Sequence, residues 1–370
     1  MNIDSFFDCI VKHHANELPF VVYRKPQKNQ ITALLQDDDK KHVVKNFMES
    51  GFVFAPFDNK NDTILIPFEN VLQADYEGVS DSQKSEKLFH TENDDRDKHI
   101  HLVFEGIKAI ENGKLRKVVL SRAEQVSLSK TDPIKIFKQL LDTYTSAYVY
   151  CWFHPKVGLW LGATPETLLS IDGRQVCVMS LAGTQTYDGT QNVEWQGKEQ
   201  EEQQYVTDYI VEHIQNFVNN ISLSETETTR AGNLLHLRTK ITGVLKGNQK
   251  DLSYLIKQLH PTPAVCGVPK DLAKDFILKH ENYDREFYTG FLGELNLEQH
   301  SRTRDSKKNV ENRAYRTTKN ITHLYVNLRC AKLESGKATV FVGGGITQHS
   351  IAEKEWEETV SKSMTLKRVL

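Results

Sequence analysis

The sequence predicts an α+β fold built around a large, mainly antiparallel β-sheet. Four apolar runs follow one another with only short turns between them: YVYCWF (148–153), GLWLGA (158–163), TLLSI (167–171) and QVCVMSLAG (175–183). Connections this short suit antiparallel strands, because parallel neighbours need a long crossover. Two stretches near 98–113 and 198–218 place apolar residues at the spacing of a helix face. Helices are therefore expected in addition to the sheet.

Length, charge and cysteine usage narrow the class of partner. The 370 residues carry 47 basic and 49 acidic side chains, a balance that provides no overall field for nucleic acid or an anionic membrane. The five cysteines are scattered without a CxxC pair, which argues against a disulfide framework and against a zinc site. The sequence shows neither a signal-peptide pattern nor a long uncharged apolar run. We therefore expect a cytoplasmic protein that acts on a small molecule.

Residues 1–97 are predicted to form a β-rich N-terminal part. Short β-prone runs at 20–23 and 63–66 are separated by polar turns, and one helix-like piece lies near 41–48. The part ends in a polar stretch at about 78–97. That stretch has too little apolar surface to order itself and is predicted to be a linker.

The region 98–370 begins with a helix and a strand that carries a candidate base. The helix ends at Gly113, and KVVLSR (117–122) follows as a strand that starts with Lys117. Because the next three residues have a buried pattern, the Lys117 side chain is expected in the mouth of the sheet. Loss of water there favours the neutral amine, which can act as a base. A lysine that merely snorkels from a strand end gives the same pattern.

Two turns beside the predicted strands hold polar groups. Glu166 in GATPETLL lies between two apolar strands, where partial burial would raise the pKa of its carboxyl group. A turn residue in solvent is the alternative. LAGT (181–184) ends a strand with the Gly183 amide and the Thr184 hydroxyl, and both can contact a substrate oxygen.

Three polar side chains interrupt apolar patterns. On the helix at 198–218, Glu202 lies one turn before the apolar stripe and is predicted to point inward, unless it only partners its own first turn. His236 and Arg329 interrupt apolar strands. A buried arginine is costly unless it meets a carboxylate, so Arg329 is the stronger pointer to a site. His236 is also compatible with a core residue whose hydrogen bonds are all made within the protein.

A polar stretch at about 296–320 is predicted to be an exposed insertion.

The C-terminal motif predicts half of a binding site. VFVGGGIT (340–347) is predicted to be a strand that runs into a glycine-rich turn, in which the amides of 343–345 can approach an anion. EKEWEETVSK (353–362) follows as a helix with Glu355, Glu358 and Lys362 on one face. That face suits a cation and an acid together, although a solvated charged face gives the same pattern.

Taken in order, these motifs resemble the chorismate-utilising enzymes, the family of anthranilate synthase component I, isochorismate synthase and salicylate synthase. The resemblance is greatest to the isochorismate synthases and covers roughly residues 98–370. It rests on KVVLSR, GATPE, LAGT, HPTPAVCG, REFYTGFLGEL, NLRCAK and GGGI, among ten motifs that follow one another in order along the chain. The resemblance implies one large α+β domain, with two extended, mainly antiparallel sheets packed together and helices outside. It also makes 98–370 the chorismate-binding catalytic region.

The resemblance also implies a reaction and a set of roles. Chorismate would be isomerised to isochorismate, with Lys117 as the base that activates water and Glu166 as the acid that helps to expel the 4-hydroxyl group. A Mg²⁺ ion would lie between the ring carboxylate of the substrate and protein glutamates. The matching metal positions are Glu202 and Glu358, with Glu355 as a partner that would act behind these ligands or through a water molecule. The matching substrate-binding positions are Gly183, Thr184, His236, Arg329, Gly343 and Lys362.

The resemblance leaves three other functions open. Salicylate synthase shares the base and acid and then eliminates pyruvate, whereas anthranilate synthase uses ammonia and does not have a lysine at the position of Lys117. A non-catalytic chorismate-binding homologue would not need Lys117 and Glu166 together. Because water replaces ammonia, we expect no glutamine amidotransferase subunit, and we expect a monomer. Menaquinone and catechol siderophore pathways both begin with this isomerisation, so the sequence is compatible with either.

Overall fold

The computed structural model describes residues 1–78, 93–232, 234–247, 249–300 and 318–370. Two large sheets form its centre, and every strand pairing between described residues is antiparallel. The predicted α+β class with two antiparallel sheets is therefore confirmed. The helices in the described residues are α1 (Ile3–Ala15), α2 (Asn93–Glu111), α3 (Pro133–Thr143), α4 (Gly197–Ile214), α5 (Gln249–Leu259), α6 (Lys270–His280) and α7 (Ala352–Lys367).

The first sheet has the strand order β15-β7-β19-β18-β9-β8-β1-β2-β6. The second has the order β12-β14-β11-β10-β17-β16-β4-β5-β3, and β13 pairs with β14 beside that path. The strands are β1 (Phe20–Arg24), β2 (Gln30–Leu35), β3 (His42–Val43), β4 (Gly51–Ala55), β5 (Ile64–Pro67), β6 (Asn70–Asp75), β7 (Lys117–Ser127), β8 (Tyr148–His154), β9 (Gly158–Thr164), β10 (Thr167–Asp172), β11 (Gln175–Thr186), β12 (Val218–Leu223), β13 (Glu227–Ala231), β14 (Leu234–Leu245), β15 (Gly267–Val268), β16 (Phe291–His300), β17 (Thr318–Val326), β18 (Cys330–Glu334) and β19 (Lys337–Ile346).

An aromatic core joins the two sheets. Trp152 and Trp160 from the first sheet pack with Phe54 from the second and with Phe287, whose ring stacks on that of Phe54 at 4.3 Å between centroids. Helices cover the outer faces: α1 and α3 pack on the first sheet, and α4 and α5 pack on the second. Burial of large aromatic rings between the sheets supplies much of the apolar area that stabilises this arrangement.

The first 97 residues contribute strands to both sheets. β1, β2 and β6 extend the first sheet beyond β8, whereas β4, β5 and β3 extend the second beyond β16. The helix expected near 41–48 is wrong. The Lys45 and Asn46 amides donate to the Glu49 side chain instead of to helical carbonyls, and only His42 and Val43 belong to a strand.

The two predicted polar stretches lie largely outside the described residues. Residues 93–97 of the expected linker form the start of α2, and 79–92 are not described. Residues 296–300 and 318–320 of the expected insertion belong to β16 and β17, and 301–317 are not described. None of the helices in the described ranges is both long enough and apolar enough to cross a bilayer.

Candidate active site

A cavity between the two sheets brings together most of the residues that the sequence singled out. It is bounded by β11 and β14 of the second sheet and by β19 of the first, and Tyr288 and Phe341 contribute aromatic walls. These elements are far apart along the chain, so only the fold makes them neighbours. The predicted residues that line the cavity are Glu166, Gly183, Thr184, Glu202, His236, Arg329, Gly343 and Lys362.

Glu166 is a buried carboxylic acid in the wall of this cavity. It lies in the turn between β9 and β10 and is only 3% exposed. Burial raises the pKa of its carboxyl group to about 8, and the charges of Lys117 and Arg329 offset this only in part. Glu166 therefore keeps its proton at neutral pH and can donate it.

Lys117 is buried behind the cavity wall, where it contacts the lining residue Glu202. It begins β7 next to β15, its side chain has no exposed surface, and its Nζ atom is 2.9 Å from Oε1 of Glu202. The side chain therefore points inward as expected, but it forms an ion pair there. Burial would raise the pKa of Glu202, yet Lys117 and then Lys198 hold it below its ordinary value.

The three consecutive glycines lie inside a strand, so the predicted glycine-rich turn is wrong. Gly343, Gly344 and Gly345 belong to β19 and pair with Ser121, Leu120 and Val119 of β7. Their role is to leave space. A Cβ atom on Gly345 would lie 2.3 Å from Oε1 of Glu202, and one on Gly344 would lie within 3.5 Å of carboxylate oxygens of both Glu355 and Glu358.

Each of the three candidate metal-binding carboxylates is paired with a lysine. The pairs are Lys117–Glu202 at 2.9 Å, Lys198–Glu355 at 2.5 Å and Lys362–Glu358 at 2.5 Å. Burial and the neighbouring charge of Glu358 raise the pKa of Glu355 although Lys198 opposes this. Oε2 of Glu355 is buried and makes no hydrogen bond of ordinary geometry, although the Ser350 side chain lies close enough to oppose the rise in the pKa of Glu355.

These features fit a divalent cation. An ion that binds through oxygen needs a carboxylate oxygen without another partner, and it needs space, which the glycine segment 343–345 leaves free. Mg²⁺ also needs few protein carboxylates. Within the described ranges, however, no three acidic, histidine or cysteine side chains already stand at metal-binding distances. The lysine ammonium groups hold the carboxylates in the present arrangement.

Gly183 and His236 form the polar wall opposite the glycine strand. Gly183 has φ +71° where the β11–β14 register shifts, and its carbonyl lies 2.8 Å from Nδ1 of His236. Burial, then Arg329, lowers the pKa of His236 to about 3, so the ring is neutral. Because a carbonyl only accepts, Nδ1 carries the proton. The unpartnered, buried Nε2 is left as an acceptor. Thr184 also lies near this ring, with Oγ1 3.4 Å from Nδ1.

Arg329 and Lys362 give the cavity a cationic end. Arg329 follows β17 with φ +48°, and its guanidinium forms neither an ion pair nor a hydrogen bond with any described residue. Lys362 donates to the Gly343 carbonyl at 3.0 Å and pairs with Glu358. An unpaired arginine beside a bound lysine suits a carboxylate ligand.

Sequence reasoning missed the residues that fix β7 in place. Arg285 donates to both oxygens of Glu281 at 2.6 and 2.7 Å and to the Val119 carbonyl at 2.8 Å, while Glu281 accepts from the Ser121 amide. This buried network holds the strand that carries Lys117. In the sequence, Glu281 and Arg285 stand four residues apart in the polar segment 279–286, so no local pattern marks them as buried.

Comparison with known proteins assigns the family. The chorismate binding enzyme family matches residues 55–302, and a second match to that family covers 315–368. The first match alone spans more than half of the chain. The resemblance drawn from the sequence motifs is therefore confirmed at the level of the family.

Individual relatives of known function share between 21% and 28% of their residues with this chain. Isochorismate synthase MenF of Escherichia coli is 28% identical over 272 residues, which are 71% of this chain and 58% of that protein. Isochorismate synthase DhbC of Bacillus subtilis is 28% identical over 345 residues, 85% of this chain and 79% of that protein. The solved structure of Escherichia coli MenF, the menaquinone-specific isochorismate synthase, has a TM-score of 0.75 at 21% identity and covers 95% of this chain and 88% of that chain. The match to Escherichia coli MenF thus spans about three fifths of its length.

Proposed function

Because the chain belongs to the chorismate binding enzyme family, we propose that it is an isochorismate synthase. In this reaction water adds to C2 of chorismate, the ring double bonds shift, and the 4-hydroxyl group leaves, so that one water enters and one is released. The observation that carries the proposal is Glu166, a buried carboxyl with a pKa of about 8 in a cavity that Glu202 also lines, with Lys117 paired to Glu202 directly behind the cavity wall. An acid and an amine base in one site are what an exchange of hydroxyl groups requires.

The base step is assigned to Lys117. Its neutral amine takes a proton from water as the water oxygen bonds to C2. In the structure, however, the Nζ atom of Lys117 is engaged by Oε1 of Glu202 at 2.9 Å. Glu202 must therefore turn its oxygen to another partner before Lys117 can act as a base. The partner that Glu202 binds thus decides whether Lys117 is free to take a proton.

The acid step is assigned to Glu166. As the bond between C4 and its oxygen breaks, the carboxyl group gives its proton to the leaving hydroxyl, which departs as water. Its raised pKa keeps that proton available at neutral pH. Exchange with solvent afterwards returns the proton to Glu166 and removes one from Lys117.

Chorismate is a dicarboxylate, and the cavity offers separate groups for its two ends. Arg329 and Lys362 are proposed to bind the enolpyruvyl carboxylate, with Gly343 leaving room beside them. Gly183, Thr184 and the free Nε2 of His236 are proposed to face the ring and its hydroxyl groups.

The ring carboxylate is proposed to lie at the glutamate cluster, where Glu202, Glu358 and Glu355 would hold Mg²⁺. The ion, when bound, would neutralise the ring carboxylate and the glutamates together. The support is Oε2 of Glu355, which makes no hydrogen bond of ordinary geometry, and the space left at Gly344 and Gly345.

The experiment is incubation of the purified protein with chorismate and Mg²⁺ in the absence of any amine donor, followed by chromatography and mass spectrometry. We expect isochorismate in equilibrium with chorismate. Salicylate with pyruvate would assign the chain to salicylate synthases, and turnover only after addition of ammonia would contradict the role of Lys117. The same assay on a gel-filtered sample tests whether a monomer without an amidotransferase subunit is sufficient.

A further inference from the structure

The carboxylate cluster contains a lysine that the proposed mechanism does not use. Lys198 lies in the first turn of α4, four residues before Glu202, so both side chains are on one face of the helix. Lys362 lines the substrate cavity, but Lys198 does not. With Glu355 and Glu358 it lines a second cavity, between the N-terminal ends of α4 and α7.

Lys198 pairs with one oxygen of the buried Glu355 carboxylate. Its Nζ atom lies 2.5 Å from Oε1 of Glu355, which is only 2% exposed. Oε2 of Glu355 makes no hydrogen bond of ordinary geometry and faces the same space beside Gly344 as Oε1 of Glu358. Two carboxylates directed at one small space repel each other unless a positive charge is nearby. In the described part of the chain, Lys198 is the ammonium that neutralises Glu355.

The ammonium group of Lys198 also has room to move away from Glu355. Its side chain is 22% exposed, and the second cavity offers space beside it, whereas Lys117 has no exposed surface. A lysine of this kind can keep its stem on the protein and move its ammonium into water.

We propose that Lys198 is a built-in counter-ion of the metal site, and that a divalent cation must displace its ammonium from Glu355 in order to bind. This inference rests on the proposed Mg²⁺ site. Lys198 is a positioning residue that neutralises the glutamate cluster when no metal is bound. Because the ion must compete with it, Lys198 lowers the apparent affinity of the cluster for the ion.

The test is calorimetric titration of Mg²⁺ alone into the EDTA-treated, dialysed full chain. We expect Lys198→Met to bind Mg²⁺ about tenfold more tightly than the wild type, the equivalent of about 1.4 kcal/mol. Lys354→Met is the matched control, because Lys354 lines the same cavity but pairs with no carboxylate of the described residues. Unchanged affinity in Lys198→Met, or an equal gain in Lys354→Met, would overturn displacement while leaving the metal site in place. No binding by either wild type or Lys198→Met would overturn the metal site and displacement together.

A second measurement uses only the wild-type protein and so does not depend on the folding of a variant. The amino group of Lys198, which reacts as the neutral amine once it is released from Glu355, should be acetylated faster when Mg²⁺ is present, as followed by peptide mass spectrometry. We expect its labelling rate to rise several-fold, while that of the control Lys354 stays constant. An unchanged rate for Lys198 at an Mg²⁺ concentration that saturates the calorimetric signal would contradict displacement.

Discussion

The Nζ atom of Lys117 lies 2.9 Å from Oε1 of Glu202, and that same oxygen lies where a side chain at position 345 would have to begin. The proposed base, a proposed metal-binding carboxylate and the glycine strand are therefore one geometric unit. A change in any of the three is expected to disturb the other two.

Lys117→Met removes the proposed base. We expect turnover to fall by about 10²–10⁴-fold, the usual contribution of a positioned general base. Steady-state formation of isochorismate, followed by chromatography, measures the loss. Glu202 would be left buried without its partner, so the double variant Lys117→Met/Glu202→Gln checks that a folded protein without the pair is also inactive. Lys41→Met, which removes an exposed lysine paired with Asp62, is the control. Activity within tenfold of wild type in Lys117→Met would remove Lys117 from the mechanism.

Glu166→Gln should lower activity and raise stability in the same protein. The carboxyl pKa is about 8 in the folded state against 4.5 for an ordinary glutamate. Between these pH values only the folded state keeps the proton, so the free energy of unfolding falls as pH rises and becomes constant above about 8. Glutamine never ionises, and the variant should gain about 4 kcal/mol over wild type at pH 8 but little near pH 4.5.

Urea unfolding as a function of pH measures that gain, and the kcat of the wild type should decrease above about pH 8 as Glu166 loses its proton. The exposed Glu69 provides the control, since Glu69→Gln should change neither quantity. A stability difference for Glu166→Gln that does not vary with pH would show that Glu166 is ionised in the folded protein.

Gly345→Ala and Gly344→Ala should affect different steps, the first turnover and the second the Mg²⁺ requirement. The first puts a Cβ atom 2.3 Å from Oε1 of Glu202 and should displace that carboxylate, with a large loss of turnover. The second makes only ordinary contacts, at 3.4 Å with Glu358 and 3.5 Å with Glu355, but occupies the space proposed for the ion, so it should mainly raise the Mg²⁺ concentration needed for half-maximal activity. Gly197→Ala, with open space around it, is the control. Equal kinetics in all three variants would contradict the role given to the glycine strand.

Glu358→Gln should weaken Mg²⁺ and chorismate binding together. The variant keeps the size of the side chain but removes one negative charge from the cluster, and it also breaks the pair with Lys362. We expect the Mg²⁺ requirement and the KM for chorismate each to rise by about tenfold or more, with EDTA abolishing activity in both proteins. Glu353→Gln, at an exposed position of the same helix, is the matched control and should change neither quantity. An Mg²⁺ titration identical to that of the wild type would exclude Glu358 as a metal ligand.

Much of the catalytic region was predictable from local patterns. The strand that starts at Lys117, the turn that holds Glu166 and the helix that begins just before Lys198 are set by apolar periodicity and by Gly and Pro positions. The inward direction of Glu202 followed from its place on that helix.

Other features depend on contacts that no local pattern records. The role of Gly345 is set by a carboxylate more than a hundred residues earlier, and the local run of three glycines indicates a turn instead of a strand. Likewise, the pairing of Lys198 with Glu355 and of Arg285 with the Val119 carbonyl arises only from the packed sheets and helices. The short N-terminal strands join two different sheets for the same reason.

The most direct test of the account is the fate of solvent oxygen. Chorismate and Mg²⁺ are incubated with the protein in water enriched in oxygen-18, and the first isochorismate formed is analysed by mass spectrometry. Because Lys117 is proposed to activate solvent water while Glu166 expels the original hydroxyl, we predict one heavy oxygen in each isochorismate, located at C2. Isochorismate without the label would show that the hydroxyl group migrates within the substrate, and that result would contradict the proposed roles of both residues.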